Sequence, residues 1–327
     1  MKGRVCQNYL VTRHSFPYSK STKFGLFLLI SPISRTIIVV FLALVTAAGI
    51  GAVLWKSGKL ETQLLEPAST ASLVPHKAIY SVALYSTRNT SQISNIGGQM
   101  FYAIRKSCEG WITQNRFNLV YEYPDSPAMR LLSDFSNVES ADGETLQFIT
   151  RRRRDGELFE ELRGEALQKD KRVVFSMPEG EAQDIPAQAI FPIAHTKSVI
   201  DAAKSGKKIV SSVLFDGSDI NGAVEINTII AGQATPTEKS AYIREEFKES
   251  PLIKGNAWKL RMAFFPMADE DSPQSDYEMT ALLYENGVIS HMIIDYDDFS
   301  IEQKLMALEP LEADQCGGGA NAGSRTE

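Results

Sequence analysis

"ADGETLQFITRRRRDGELFEELRGEALQKDKRVVFSM", residues 141–177, decides the fold class. Two Asp-Gly pairs, at 142–143 and 155–156, interrupt segments in which apolar and polar residues alternate. Alternation places successive side chains on opposite faces of a strand. Asp-Gly marks a hairpin, because a type I′ turn needs positive φ and glycine supplies it without strain. The stretch therefore predicts consecutive antiparallel strands.

The same period runs outward on both sides. In "KAIYSVALYS" (77–86), Ile79, Ser81 and Ala83 oppose Tyr80, Val82 and Leu84. "GGQMFYAIRK" (97–106) and "GWITQNRFNLVYEY" (110–123) continue it with aromatic and β-branched content. "MTALLYENGVISHMIIDY" (279–296) is a third hairpin, turning at Asn286-Gly287. The pattern predicts about a dozen strands between residues 75 and 310. One stretch departs from it. "FPIAHTKSVIDAAKSGKK" (191–208) has Ile193, Val199, Ile200 and Ala203 at helical spacing, with Pro192 at its start and Gly206 closing it. It predicts one substantial helix over about 193–205. The expected class is mainly β: a highly bent antiparallel sheet, a spiral or half-barrel, whose curling hides its edge strands.

The N-terminus is of another kind. Residues 1–35 hold six basic side chains and no acidic one, and "TIIVVFLALVTAAGIGAVLW" (36–55) carries no charge. A run of roughly 20 apolar residues spans a bilayer as a helix, and the basic flank stays in the cytoplasm. Two readings follow. One is a signal sequence cleaved at Thr46–Ala48 or Ser69–Ala71, and the other is an uncleaved anchor in the inner membrane. The organisation expected is a basic n-region 1–35, a signal or anchor 36–55, a linker 56–73, an exported β domain 74–316 and a polar, glycine-rich tail 317–327. Without residues 1–71 the chain has 26 basic and 38 acidic residues, a net of −12. Such an acidic domain is a poor partner for nucleic acid, whose affinity comes largely from neutralised phosphates.

Few residues suggest chemistry. His14, His76, His195 and His291 are isolated, and none stands in zinc-ligand company. His195, near the helix start, reads as structural or capping. "LFDGSDING" (214–222) offers Asp216, Asp219 and Asn221, but lacks the ligand ladder of a calcium loop and reads as a turn. "DYDDF" (295–299) gathers Asp295, Asp297 and Asp298; on a strand, Asp295 and Asp297 share a face. With His291 they are the one polar cluster available to a hydrolase, and more simply a solvated strand end. Arg151, Arg152, Arg153 and Arg154 occupy a strand tip and divide between its two faces, so they cannot form a single anion site. No cofactor motif is present, and the chain reads as non-enzymatic. Of the three cysteines, Cys6 precedes the apolar run. Cys108 and Cys316 remain in the exported part, where disulfides persist; they are either paired or two free thiols.

"LVPHKAIYSVAL" (73–84), "SCEGW" (107–111), "LFDGSD" (214–219), "LLYENGVISHMIIDYDDF" (282–299) and a cysteine after "LMALEPLEADQ" (305–315) occur in this order. The set resembles the EipB family, over about residues 73–316. The resemblance implies a periplasmic, spiral-like bent sheet partly wrapping a helix, and a disulfide between Cys108 and Cys316. It further implies a part in maintaining the cell envelope and a link to a periplasmic tetratricopeptide-repeat protein; no catalytic residue carries over. A curled sheet around a helix is also a natural apolar pocket, so a lipid or lipoprotein carrier is the alternative expectation.

Overall fold

A computed structural model describes residues 69–89, 91–267 and 274–314. The chain divides between Glu66 and Pro67, and every described residue belongs to the second part. The n-region 1–35, the apolar run 36–55, most of the linker, Cys316 and the 317–327 tail lie outside the described residues. No helix among the described residues is long and apolar enough to cross a membrane.

The chain first builds eight strands in an antiparallel meander. They are β1 (His76–Thr87), β2 (Asn95–Lys106), β3 (Gly110–Glu122), β4 (Met129–Ser140), β5 (Thr145–Arg154), β6 (Glu157–Leu167), β7 (Arg172–Met177) and β8 (Ala182–Asp184). Then come the two-residue β9 (Ala189–Ile190) and the helix α1 (Pro192–Lys204). The second half runs through β10 (Ile209–Leu214), β11 (Val224–Gln233), a short helix α2 (Pro236–Ala241), β12 (Ala257–Pro266), β13 (Tyr277–Tyr284), β14 (Ile289–Asp295) and β15 (Phe299–Pro310). Fifteen strands among the described residues exceed the dozen expected, in part because β8 and β9 are too short to show a period. α1 falls where helical spacing places it.

All fifteen strands form one sheet in which β1 pairs with both β2 and β15 at the centre. β8 ends one side and β9 the other. Every pairing is antiparallel except β9 with β10, which α1 joins as a crossover. This order forces the curl. A flat sheet of fifteen strands would hold its edges roughly 65 Å apart at about 4.8 Å per strand. Yet only residues 185–188 connect β8 to β9, at most about 18 Å of chain. The sheet therefore bends until its edges meet, without a β8–β9 ladder to close it into a barrel.

Side chains close the seam instead. Phe148 and Phe175 of the β5–β8 side pack with Phe191 and Phe215 in one buried cluster; Phe148 meets Phe175 and Phe215 edge-on at 5.6 and 5.7 Å. The loop after β10 lies across β4 and β5. Its Gly217 carbonyl accepts from Thr150 Oγ1 at 2.9 Å, and its Ser218 carbonyl from the Arg152 guanidinium at 2.8 Å. Gly217 has φ 69°, and a Cβ there would stand 2.2 Å from Phe148 Cγ, so both conformation and space demand glycine. The larger core lies on the concave face, where Ala78, Tyr80 and Val82 of β1 alternate inward and Ile193, Val199 and Ile200 of α1 face them. Ala71 and Leu73, ahead of β1, are buried in it.

The three hairpin turns differ. Asp155 and Gly156 both have positive φ, 51° and 92°, as a type I′ turn requires. At 142–143 and 286–287 only the glycine is positive, at 74° and 89°, so these are wider loops and not type I′ turns.

Candidate functional site

α1 is the element that the curled sheet surrounds, and its N-terminus is held from a distance. Phe191 precedes the helix and offers no side-chain cap. The orphan N–H groups of Ile193 and Ala194 donate instead to the Glu139 carboxylate of β4, at 2.7 and 3.0 Å. Glu139 is 3% exposed. Burial pushes its pKa up to about 7, against those two hydrogen bonds and the Lys197 charge, which favour the ionised form. At the other end, Asp201 accepts from Thr70 N and Oγ1 at 3.2 and 2.7 Å, tying the approach to β1 onto the helix.

Between α1 and the concave face lies a cavity of about 280 Å³. Met100, Met262, Met279 and Met292 line it from β2, β12, β13 and β14, with Tyr80 and Phe264 beside them. Methionine is flexible and polarizable, so such walls adapt to the shape of an occupant. Tyr80 is spent structurally, since its hydroxyl donates to the Ile289 carbonyl at 2.7 Å. His195 enters the cavity from α1, and burial lowers its pKa to about 4, so its ring is neutral at physiological pH. No Asp, Glu, Lys or Arg lines the space.

The other candidate residues lie elsewhere. Cys108 sits in the turn between β2 and β3. The four arginines divide between two faces, as alternation requires, and most meet acids. Arg151 pairs with Glu161 at 2.9 Å, Arg152 with Glu160, and Arg153 with Asp134 at 3.9 Å, while Arg154 stacks over Phe159 at 5.1 Å. Asp216 and Asp219 each accept a backbone N–H two residues ahead, at 2.9 and 2.8 Å, as turn residues do. β14 ends at Asp295, so Asp297 and Asp298 occupy the following turn and share no strand face with it. Asp295 accepts from Ser300 Oγ at 2.6 Å. His291 bonds Glu302 at 2.9 Å and stacks under Tyr242, with ring centroids 3.8 Å apart. The cluster suggested for a hydrolase is thus divided among separate structural contacts. Among the described residues, no three His, Cys, Asp or Glu side chains are grouped to hold a metal.

Glu139 and the methionines escaped the reading of the sequence. Strand alternation does put Met100 and Met292 on inner faces, but nothing in the spacing shows that four strands turn theirs toward one space.

The comparisons agree with this architecture. A curated relative, "Cell envelope integrity protein EipB" of Brucella abortus, is 30% identical over 247 residues, covering 74% of this chain and 86% of that protein. A crystal structure of a β-barrel-like protein of a domain of unknown function, also from Brucella abortus, superposes with a TM-score of 0.67 at 29% identity, over 74% of this chain and all of the other. The EipB-like family profile matches residues 67–312, which takes in the fifteen strands and two α-helices of the described residues, and the chain belongs to that family.

Proposed function

We propose that this protein is a non-enzymatic periplasmic factor that supports cell-envelope integrity by binding a partner protein. Family membership and the name of its relative support the envelope role. The observation that carries partner binding is where apolar surface is left outside. Of the ten large apolar residues exposed among those described, Leu158 and Phe159 lie on β6 and Val174 and Met177 on β7. Exposed apolar groups on two neighbouring strands are candidates for a contact surface. A periplasmic tetratricopeptide-repeat protein is the partner expected.

Export belongs to the same proposal, with residues 36–55 as signal sequence or inner-membrane anchor. So does the disulfide between Cys108 and Cys316. Its support is that Asp314, two residues before Cys316, donates its backbone N–H to the Lys106 carbonyl at 3.1 Å, beside the turn that carries Cys108.

The test is cross-linking in intact cells with wild type and with a Val174→Glu/Met177→Glu variant. A captured protein lost in the variant, together with sensitivity of a deletion strain to detergent and cell-wall antibiotics, is the expected result. A deletion strain as tolerant as its parent refutes the envelope role, and capture indifferent to the variant refutes this surface.

The second reading is a lipid or lipoprotein carrier, and the apolar cavity beneath α1 favours it. Lipid extracted with the purified protein supports this reading, and consistently empty protein opposes it.

A further inference from the structure

Buried polar side-chain atoms that lack a hydrogen-bond partner are few among the described residues: His76 Nε2, His195 Nε2, Thr228 Oγ1 and Gln303 Oε1 are among them. Of all the residues with such an atom, only His195 lines the cavity beneath α1. It is 9% exposed. A buried polar group without a partner is destabilising, and a partner supplied from the cavity relieves that cost.

The walls define what that partner is. They are mostly methionine, aromatic and aliphatic, with Asn115, Thr196 and Tyr102 the polar residues beside His195, and the Thr196 hydroxyl already donates to the Pro192 carbonyl at 2.9 Å, so the body of the occupant is apolar. None of the lining side chains carries a fixed charge. The nearest charges on the helix are engaged elsewhere: the Lys197 ammonium lies 5.8 Å over the Trp111 ring, and Glu139 holds the helix N-terminus. A carboxylate, phosphate or ammonium head would enter without a fixed counter-charge, which burial penalises. A hydroxyl head meets no such cost. It both donates and accepts, so it satisfies Nε2 in either tautomer of a neutral imidazole. The volume of about 280 Å³ equals about nine waters at roughly 30 Å³ each. That is room for one medium alkyl chain.

We propose that this cavity binds a single-chain amphiphile with an uncharged hydroxyl head, its chain among the four methionines and its head on His195 Nε2. The proposal rests on the carrier reading and names the class of ligand for it.

Displacement of an apolar fluorescent probe from the full chain at neutral pH tests it, with 1-decanol and decanoate as competitors. Three proteins are compared: wild type, His195→Phe, and Met279→Trp, which fills the cavity. Thermal melts establish that the variants fold. Decanol is expected to displace the probe at concentrations at least tenfold below decanoate. His195→Phe should weaken decanol about tenfold, the equivalent of one hydrogen bond, and narrow that gap. Met279→Trp should abolish displacement. Equal competition by decanol and decanoate, or a ratio unmoved in His195→Phe, overturns the head-group assignment while the carrier reading survives. Failure of both competitors on wild type, with Met279→Trp indistinguishable from it, overturns both.

Discussion

Replacing Glu139 with Gln sets two physical effects against each other. Burial raises the carboxyl from its ordinary 4.5 to about 7, and the helix N–H groups and Lys197 pull the other way. With the folded pKa above the unfolded one, the folded chain binds more protons than the unfolded chain between about pH 4.5 and 7. Stability from this group is therefore full below pH 4.5 and is lost as pH rises through 7. At about 1.4 kcal/mol per pKa unit the full loss is about 3 kcal/mol. Glutamine removes the titration but turns an NH2 toward one backbone N–H, a constant cost of about 1–3 kcal/mol.

The expected result is thus a divergence with pH. Between about pH 5 and 7.5, E139Q should gain about 2.5 kcal/mol on wild type, less stable than wild type at the acid end and near it at the other. His195 sharpens the contrast. Its pKa is depressed to about 4, so its contribution rises with pH from 4 toward 6.5 and offsets Glu139 in the wild type. E139Q should expose that rising slope. Urea melts at the two pH values measure the effect. Parallel profiles would refute the raised pKa. Divergence of the opposite sign would mean that the helix end outweighs burial and holds the carboxylate ionised.

Two further outcomes follow from the fold. Reduced and non-reduced protein should differ in gel mobility, and Cys316→Ser should abolish the difference and lower stability by up to about 5 kcal/mol for a loop of about 200 residues; unchanged mobility in Cys316→Ser refutes the pairing. Gly156→Ala should cost about 1–2 kcal/mol in urea melts, because φ is 92° and no atom stands within 4 Å to compensate the strain, whereas Gly97→Ala, in a strand with equal space, should not destabilise.

What could be read before the structure was local. Alternation in "KAIYSVALYS" names the inward residues of β1, since Tyr80 and Val82 are buried and Ile79 is exposed. Proline and glycine bound α1 because they act within a turn of where they stand. The curl is not local. It follows from β8 and β9 being consecutive in the chain and opposite in the sheet, and strands of three and two residues have no period to betray them. Glu139 was illegible for the same reason. A helix cap is sought just before the helix, where Phe191 stands, but here the acceptor arrives from a strand 54 residues earlier. That substitution has a consequence for the site. A local cap would stabilise α1 wherever it lay, whereas a carboxylate on β4 satisfies the helix only when the helix is seated inside the curl. The bond that ends the helix thus also fixes the helix against the sheet, and with it the placement of His195, one residue beyond the second N–H that Glu139 accepts.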